Sequence, residues 1–222
     1  MYQIHYSKVD KASQSDTLLT VRKRAADRLL ATMSASGGVV TRADLERDGH
    51  SGRTIRKLMD AGQIVRTRQG MYRLAHGTPS GEASFVEACR IAPRGVVCLL
   101  SALSYYGLTT QVPAAVDLAV SPGTRNQFPD DLQIHYVKML PRLLRSDVLR
   151  VAATGGGFFR IFSRERSVCD AFRYRQTVGE DIAYESLGVL LRTKFSRRAL
   201  LSAAKLTSTE PFVLPPLRTL AT

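Results

Sequence analysis

Along the first third of the chain, apolar residues recur with helical spacing. Leu18, Val21, Ala25, Leu29 and Met33 fall at steps of three and four, with Arg22, Lys23, Arg24 and Arg28 mostly between them, which predicts a helix from Thr17. Gly37 and Gly38 end it. Thr41 stands as an N-cap to "RADLERDG", a short helix stopped by Gly49, and Ser51 caps a third helix running to Gly62. Stepping 100° per residue from Arg53, Lys57, Arg56 and Asp60 fall at roughly 40°, 300° and 340°, and Leu58, Ile55 and Met59 at roughly 140°, 200° and 240°. The third helix is therefore split into a basic face and an opposite apolar one. The residues "QIVRTRQGMYRL" read as two short strands about a turn at Arg68-Gln69-Gly70, where a glycine supplies the positive φ such a turn needs. Three helices and a basic hairpin predict a winged helix-turn-helix domain over residues 17–76, preceded by a loose polar arm over 1–16.

The pattern changes after that. Residues 77–82 read as a linker of Gly, Pro and Ser within "AHGTPSGE". From residue 83 to 222, helical and strand-like stretches alternate unevenly. "ASFVEACRIA" reads as a helix, and "RGVVCLLSALSYYGL" as a buried strand or loop entering a second one. "AAVDLAVS" is a strand ended by "PGT"; "LQIHYVKML" is another, with Leu132, Ile134 and Tyr136 set against Gln133, His135 and Val137. "GGGFFRIFS" is a turn and a strand. Ser163 caps "RERSVCDAFRYR", and "EDIAYESLGVLLR" and "SRRALLSAAKL" are further helices. The fold class expected is α+β: an N-terminal winged helix followed by a mixed α/β C-terminal domain.

Charge turns this pattern into a functional expectation. The 222 residues carry a formal net charge of +13. Residues 1–78 hold 14 Lys/Arg against 7 Asp/Glu, and residues 79–222 hold 18 against 12. Residues 51–74 alone hold six basic residues and one acid, Asp60. Surplus focused on the helix and hairpin that a winged helix presents to a duplex points to nucleic acid rather than to a merely solvated surface. The candidate DNA contacts are Arg42, Ser51, Arg53, Thr54, Arg56, Lys57, Arg66, Arg68 and Arg73. Arg53, Thr54, Arg56 and Lys57 are placed for the major groove, Ser51 at a helix N-terminus for a phosphate, and Arg66, Arg68 and Arg73 on the wing.

Other chemistry is sparse. Cys89, Cys98 and Cys169 are odd in number, widely spaced and set among apolar neighbours, so they read as core residues; the four histidines are scattered. No catalytic residue, cofactor or metal site is expected. A metal-dependent nuclease would draw on Asp117, Asp130, Asp131, Asp147, Glu165 and Asp170, but none stands in an ExK or DxD setting, and "GGG" at 155–157 lacks the helix of a phosphate loop. The polar N-terminus and the absence of a long apolar run predict a cytoplasmic chain that makes no membrane contact. No heptad is visible, so a monomer in solution is expected.

Three segments resemble one family, the AbiEi-type antitoxins of bacterial type IV toxin–antitoxin (abortive-infection) systems. They are "TRADLERDGHSGRTIRKLMDAGQIVRTRQGMYRL" with its Gly70 to Tyr72 wing strand, "VVCLLSALSYYGLTTQVPAAVDLAVSPGTR", and "FRIFSRERSVCDAFRYR" with its Ser-x-Glu-Arg cap at Ser163. The resemblance implies a winged helix that represses its own operon at inverted repeats in double-stranded DNA. It also implies a C-terminal domain that counteracts a nucleotidyltransferase-like toxin, for which direct contact is not generally required. On that reading Arg164, Arg173 and Arg175 are candidates for an antitoxic surface, while Arg166 and Asp170, spaced i, i+4, read as a helix ion pair. The rival readings are a plain winged-helix regulator with no toxin partner and a DNA-binding nuclease. A nucleotidyltransferase-like gene directly downstream separates the first rival from the antitoxin.

Overall fold

A computed structural model describes residues 23–75, 81–124 and 133–219. The expected arm, the opening of the expected first helix with Leu18 and Val21, and most of the expected linker lie outside these residues. The chain divides into two units, one ending at Thr78 and the other starting at Pro79.

In the first unit, a helix over residues 23–35 (α1) buries Leu29 and Met33 completely. Strand β1 (Val39–Thr41), helices α2 (Arg42–Arg47) and α3 (Gly52–Asp60), and strands β2 (Ile64–Arg68) and β3 (Met71–Leu74) follow. Leu29, Met33, Val40, Leu45, Ile55, Leu58, Ile64 and Tyr72 form one core, each large side chain contributing about 1.5–3 kcal/mol on burial. The caps are where the sequence puts them. Thr41 and Asp44 form a reciprocal capping box on α2, and the Ser51 hydroxyl accepts from the Thr54 N–H on α3. α3 ends in a Schellman motif: Gly62, at φ +65°, donates to Met59 O, and Gln63 to Leu58 O. Gly70, at φ +75°, makes the hairpin turn. Strand β1 is not visible in the sequence pattern. Three residues are too few for a period of two, and its pairing with β3 (Val40 opposite Tyr72) joins segments far apart in the chain. It completes an antiparallel sheet of order β1-β3-β2.

In the second unit, the elements are α4 (Gly81–Ile91), β4 (Val96–Val97), α5 (Leu99–Tyr105), β5 (Val116–Val120), β6 (Ile134–Lys138), α6 (Pro141–Arg145), β7 (Val148–Ala152), β8 (Phe158–Phe162), α7 (Arg164–Arg173), α8 (Arg175–Val178), α9 (Glu180–Leu191), α10 (Arg197–Thr207) and α11 (Glu210–Thr219). The sheet is mixed, of order β6-β5-β4-β8-β7. Phe85 and Val86 of α4 cover one face with Val97, Leu118, Phe159 and Ile161. Leu143 and Leu144 of α6 cover the other with Val96, Ala119 and Phe162. A separate helical core joins α5, α7, α9, α10 and α11 through Leu103, Phe172, Leu187, Leu200, Val213 and Leu217.

The expected alternation along β6 does not hold. Ile134 and Val137 are the buried pair, because β6 runs parallel to β5 in a sheet covered on both faces. Helices α6, α8 and α11 and strand β7 also go beyond the sequence expectation. α11 carries Pro215 and Pro216 inside it; burial of Val213 and Leu217 overrides two residues that read as breakers.

Candidate nucleic-acid interface

α3 exposes Arg53, Arg56 and Lys57 while burying Ile55 and Leu58. None of the three cations pairs with a carboxylate among the described residues. At the start of the helix, the Ser51 hydroxyl is held by the Thr54 N–H (3.2 Å) and the Thr54 hydroxyl (3.0 Å). Ser51 therefore shapes the helix end, and among the described residues the Gly52 and Arg53 N–H groups have no acceptor. They face outward at the positive end of the helix dipole.

The wing closes a notch beside this face. A groove of about 740 Å³ lies elsewhere, in the second unit, but the notch here, about 540 Å³, is lined by Arg42, Arg56, Arg66, Gln69, Gly70 and Tyr72 among others. Arg42, Arg56 and Arg66 thus converge from α2, α3 and β2. The Arg42 N–H donates to Gly70 O at 2.7 Å, tying the wing turn to the start of α2. The Arg42 side chain also meets Glu46 at 2.7 Å, an exposed i, i+4 pair. Gln69 and Tyr72, neither of them among the expected contacts, also line the notch; their sequence signals are Gln69's place at the turn and Tyr72's place on the wing strand.

Two wing arginines stand differently. Arg68 lies in β2 opposite Met71, and its side chain lies outside the described residues. Arg73 is half-buried. Its neighbours Tyr72 and Leu74 point into the core beside α3, so strand alternation places Arg73 on the opposite face of the wing sheet. Arg73 is not brought to the α3 side.

In the second unit, Arg164, Arg173 and Arg175 do not form one exposed group. Arg173 is exposed and donates to Thr207 O at 2.9 Å. Arg164 and Arg175 are half-buried; Arg164 donates to Lys194 O, and Arg175 to Phe172 O at 3.2 Å while stacking over Phe212. Arg166 and Asp170 pair at 3.0 Å with both side chains fully buried, and the guanidinium lies 4.7 Å above the Phe162 ring. Burial pushes the Asp170 carboxyl up to about 6, against the pull of Arg166.

The remaining carboxylates of the nuclease reading are dispersed. Asp117 meets His135 at 2.8 Å and accepts from the Ser101 N–H. Glu165 accepts from the Ser196 N–H, and Asp147 lies 3.8 Å from Arg166. Asp130 and Asp131 lie outside the described residues. Among the described residues no three His, Cys, Asp or Glu are grouped to hold a metal ion, and no helix is long and apolar enough to cross a membrane. The three cysteines are buried and free. Burial pushes the Cys89 and Cys169 thiols up to about 11 and about 12, and Cys98 well up from its ordinary value.

Residues 27–75 match the model of a family described as a transcriptional regulator, AbiEi antitoxin. In fold, the chain is similar to the crystal structure of the RV2827C protein from Mycobacterium tuberculosis, with a TM-score of 0.52 and 14% identity over 82% of this chain and 71% of that one. That span exceeds the first unit, so the likeness of fold reaches into the second. No curated protein matches in sequence.

Proposed function

We propose that this chain, which through residues 27–75 belongs to the AbiEi antitoxin family of transcriptional regulators, represses its own promoter through α3 and the wing. The observation that carries this is the exposed row of Arg53, Arg56 and Lys57, which meets no carboxylate among the described residues and whose Arg56 lines a notch with Arg42 and Arg66. At nine residues, α3 is roughly 13 Å long, a length suited to the major groove. Its open N–H groups and Ser51 end take a phosphate. Arg53, Thr54, Arg56 and Lys57 face base edges, where an arginine bridging guanine O6 and N7 discriminates by about 1–3 kcal/mol. Arg42, Arg66 and Arg68 hold backbone on either side. Arg73, across the wing sheet, contributes less than its position in the sequence suggests. A monomer loads once on each half of an inverted repeat.

The second unit counteracts a nucleotidyltransferase-like toxin, without requiring contact with it, and Arg173 is more accessible for that role than Arg164 or Arg175. The family is one of regulators, which supports a non-enzymatic reading. The test joins the chain's own upstream DNA to a reporter and, in the same cells, expresses any nucleotidyltransferase-like product encoded downstream. Wild type is expected to repress and to restore growth. An Arg53/Arg56/Lys57→Ala variant is expected to lose repression and still restore growth. Repression unchanged in that variant contradicts the α3 assignment. Growth never restored by wild type contradicts the antitoxin role and leaves a plain regulator.

A further inference from the structure

The outer end of the second unit's sheet carries basic and aromatic side chains that neither its core nor its ion pairs use. Strands β7 and β8 pair with Arg150 opposite Arg160 and Ala152 opposite Phe158. Residues two apart share a sheet face, so Phe158, Arg160, Arg150 and Ala152 all lie on one side. That face is covered near Val148 and Phe162 and open at this end. Phe158 is 51% exposed, and Arg150 and Ala152 are exposed. The Arg150 guanidinium lies 4.0 Å over the Phe158 ring. Arg160 donates to Arg94 O at 3.1 Å, which brings the exposed Arg94 to the same end of the sheet. Among the described residues none of these three arginines meets a carboxylate.

The exposed Arg150–Phe158 contact stabilises only weakly at the surface, and the rest of the arrangement works against stability. Two like charges directly opposite on an antiparallel pair repel, and a half-exposed phenyl ring adds little burial. Both features make sense against a polyanion that also offers flat rings. We propose that the β7–β8 face binds an unpaired nucleic-acid segment: one base stacks on Phe158 in the place or in the plane of Arg150, and Arg94, Arg150 and Arg160 meet the flanking phosphates. Aromatic stacking beside a basic track is how single strands are held without base reading. A duplex offers phosphates but no free base face. The surface belongs to the second unit, and its role does not depend on that of α3.

The test uses the full chain with Arg53, Arg56 and Lys57 changed to Ala, so that α3 does not contribute. Fluorescence anisotropy follows a labelled RNA strand of about twelve nucleotides, within the length one such site covers, a DNA strand of the same sequence, and the DNA duplex. Single strands are expected to bind more tightly than the duplex. Phe158→Ala should weaken them about tenfold, as loss of one base stack does, and Phe158→Trp should restore them. Arg150→Ala should flatten the log–log salt dependence by about 0.7, the share of one phosphate on a single strand. A preference for the RNA strand identifies RNA as the ligand, and equal affinities identify the base and phosphate chemistry common to both; either result supports the site. Melting temperatures within a few degrees of the parent show that the variants fold. A duplex bound as tightly as the strands, or strands indifferent to Phe158→Ala, overturns the proposal. So does the absence of any oligonucleotide binding, which would turn this face towards an acidic protein.

Discussion

Helices α3 and α7 begin alike and end with opposite uses for their arginines. Each starts on a serine whose hydroxyl accepts the N–H three residues on, at 3.2 Å for Ser51 and 3.3 Å for Ser163. In α3 the buried residues Ile55 and Leu58 occupy one side, so Arg53, Arg56 and Lys57 point to water. In α7 every residue from Arg166 to Phe172 is buried, so Arg166 has no outward face. It survives there by pairing with Asp170 and lying over Phe162. A basic helix thus advertises a partner only when its apolar residues leave a side free. Where they surround it, the same residue type is architecture.

The sharpest way to break this contrast is Asp170→Ala. It leaves the buried Arg166 guanidinium with Asp147, 3.8 Å away, in place of its 3.0 Å partner, and with Nη1 and Nη2 already lacking hydrogen-bond partners among the described residues. The second unit should lose about 3–5 kcal/mol in denaturant unfolding. Replacing both partners with apolar residues of similar volume should cost far less, since it removes both desolvation penalties. A loss equal to that of the single variant would mean that the pair holds more than charge.

The pH dependence of that pair is a second handle. Burial raises the Asp170 carboxyl to about 6, from an unfolded value of about 3.9. Between those values the native chain holds a proton that the unfolded chain has released. This group's contribution to stability is therefore full below about pH 4, falls as pH rises to about 6, and is level above. The stability difference between wild type and Asp170→Asn should shift in that direction across that window. A difference that is flat with pH would contradict the raised value.

Smaller effects lie in the first unit. Ser51→Ala removes the α3 cap and should destabilise that unit by about 1 kcal/mol, visible as a lower unfolding midpoint. Smaller still, Glu46→Ala releases the exposed Arg42 from its i, i+4 partner. It should leave melting unchanged and tighten DNA binding slightly, by removing a negative charge beside the notch. Weaker binding would place Glu46, not Arg42, at the interface.

The parts of the fold legible in the sequence are those set by local rules. Thr41, Ser51 and Ser163 cap the helices expected of them, and the split of α3 follows from a repeat of 3.6. What escaped depends on partners far away in the chain. β1 exists because Tyr72 lies opposite Val40. The inward turn of Val137 follows from helices on both sheet faces, and α11 keeps two prolines because Val213 and Leu217 are buried. The candidate site divides the same way. Arg53, Arg56 and Lys57 could be placed from a helical wheel, whereas the convergence of Arg42 and Arg66 on Arg56 at the notch, and the removal of Arg73 to the far side of the wing, need the strand register. The carbonyl partners of Arg164, Arg173 and Arg175 carry no sequence signal at all.

The most direct test of the central claim measures affinity for the chain's own upstream DNA and for random DNA across a salt series, with wild type and the Arg53/Arg56/Lys57→Ala variant. Each phosphate neutralised contributes about −0.9 to the log–log slope. Wild type is expected to prefer the upstream DNA, and the variant to lose this margin and show a flatter slope with an unchanged melting temperature. Equal affinity of wild type for the two DNAs, or a variant that binds like wild type, would contradict it and move the function away from α3.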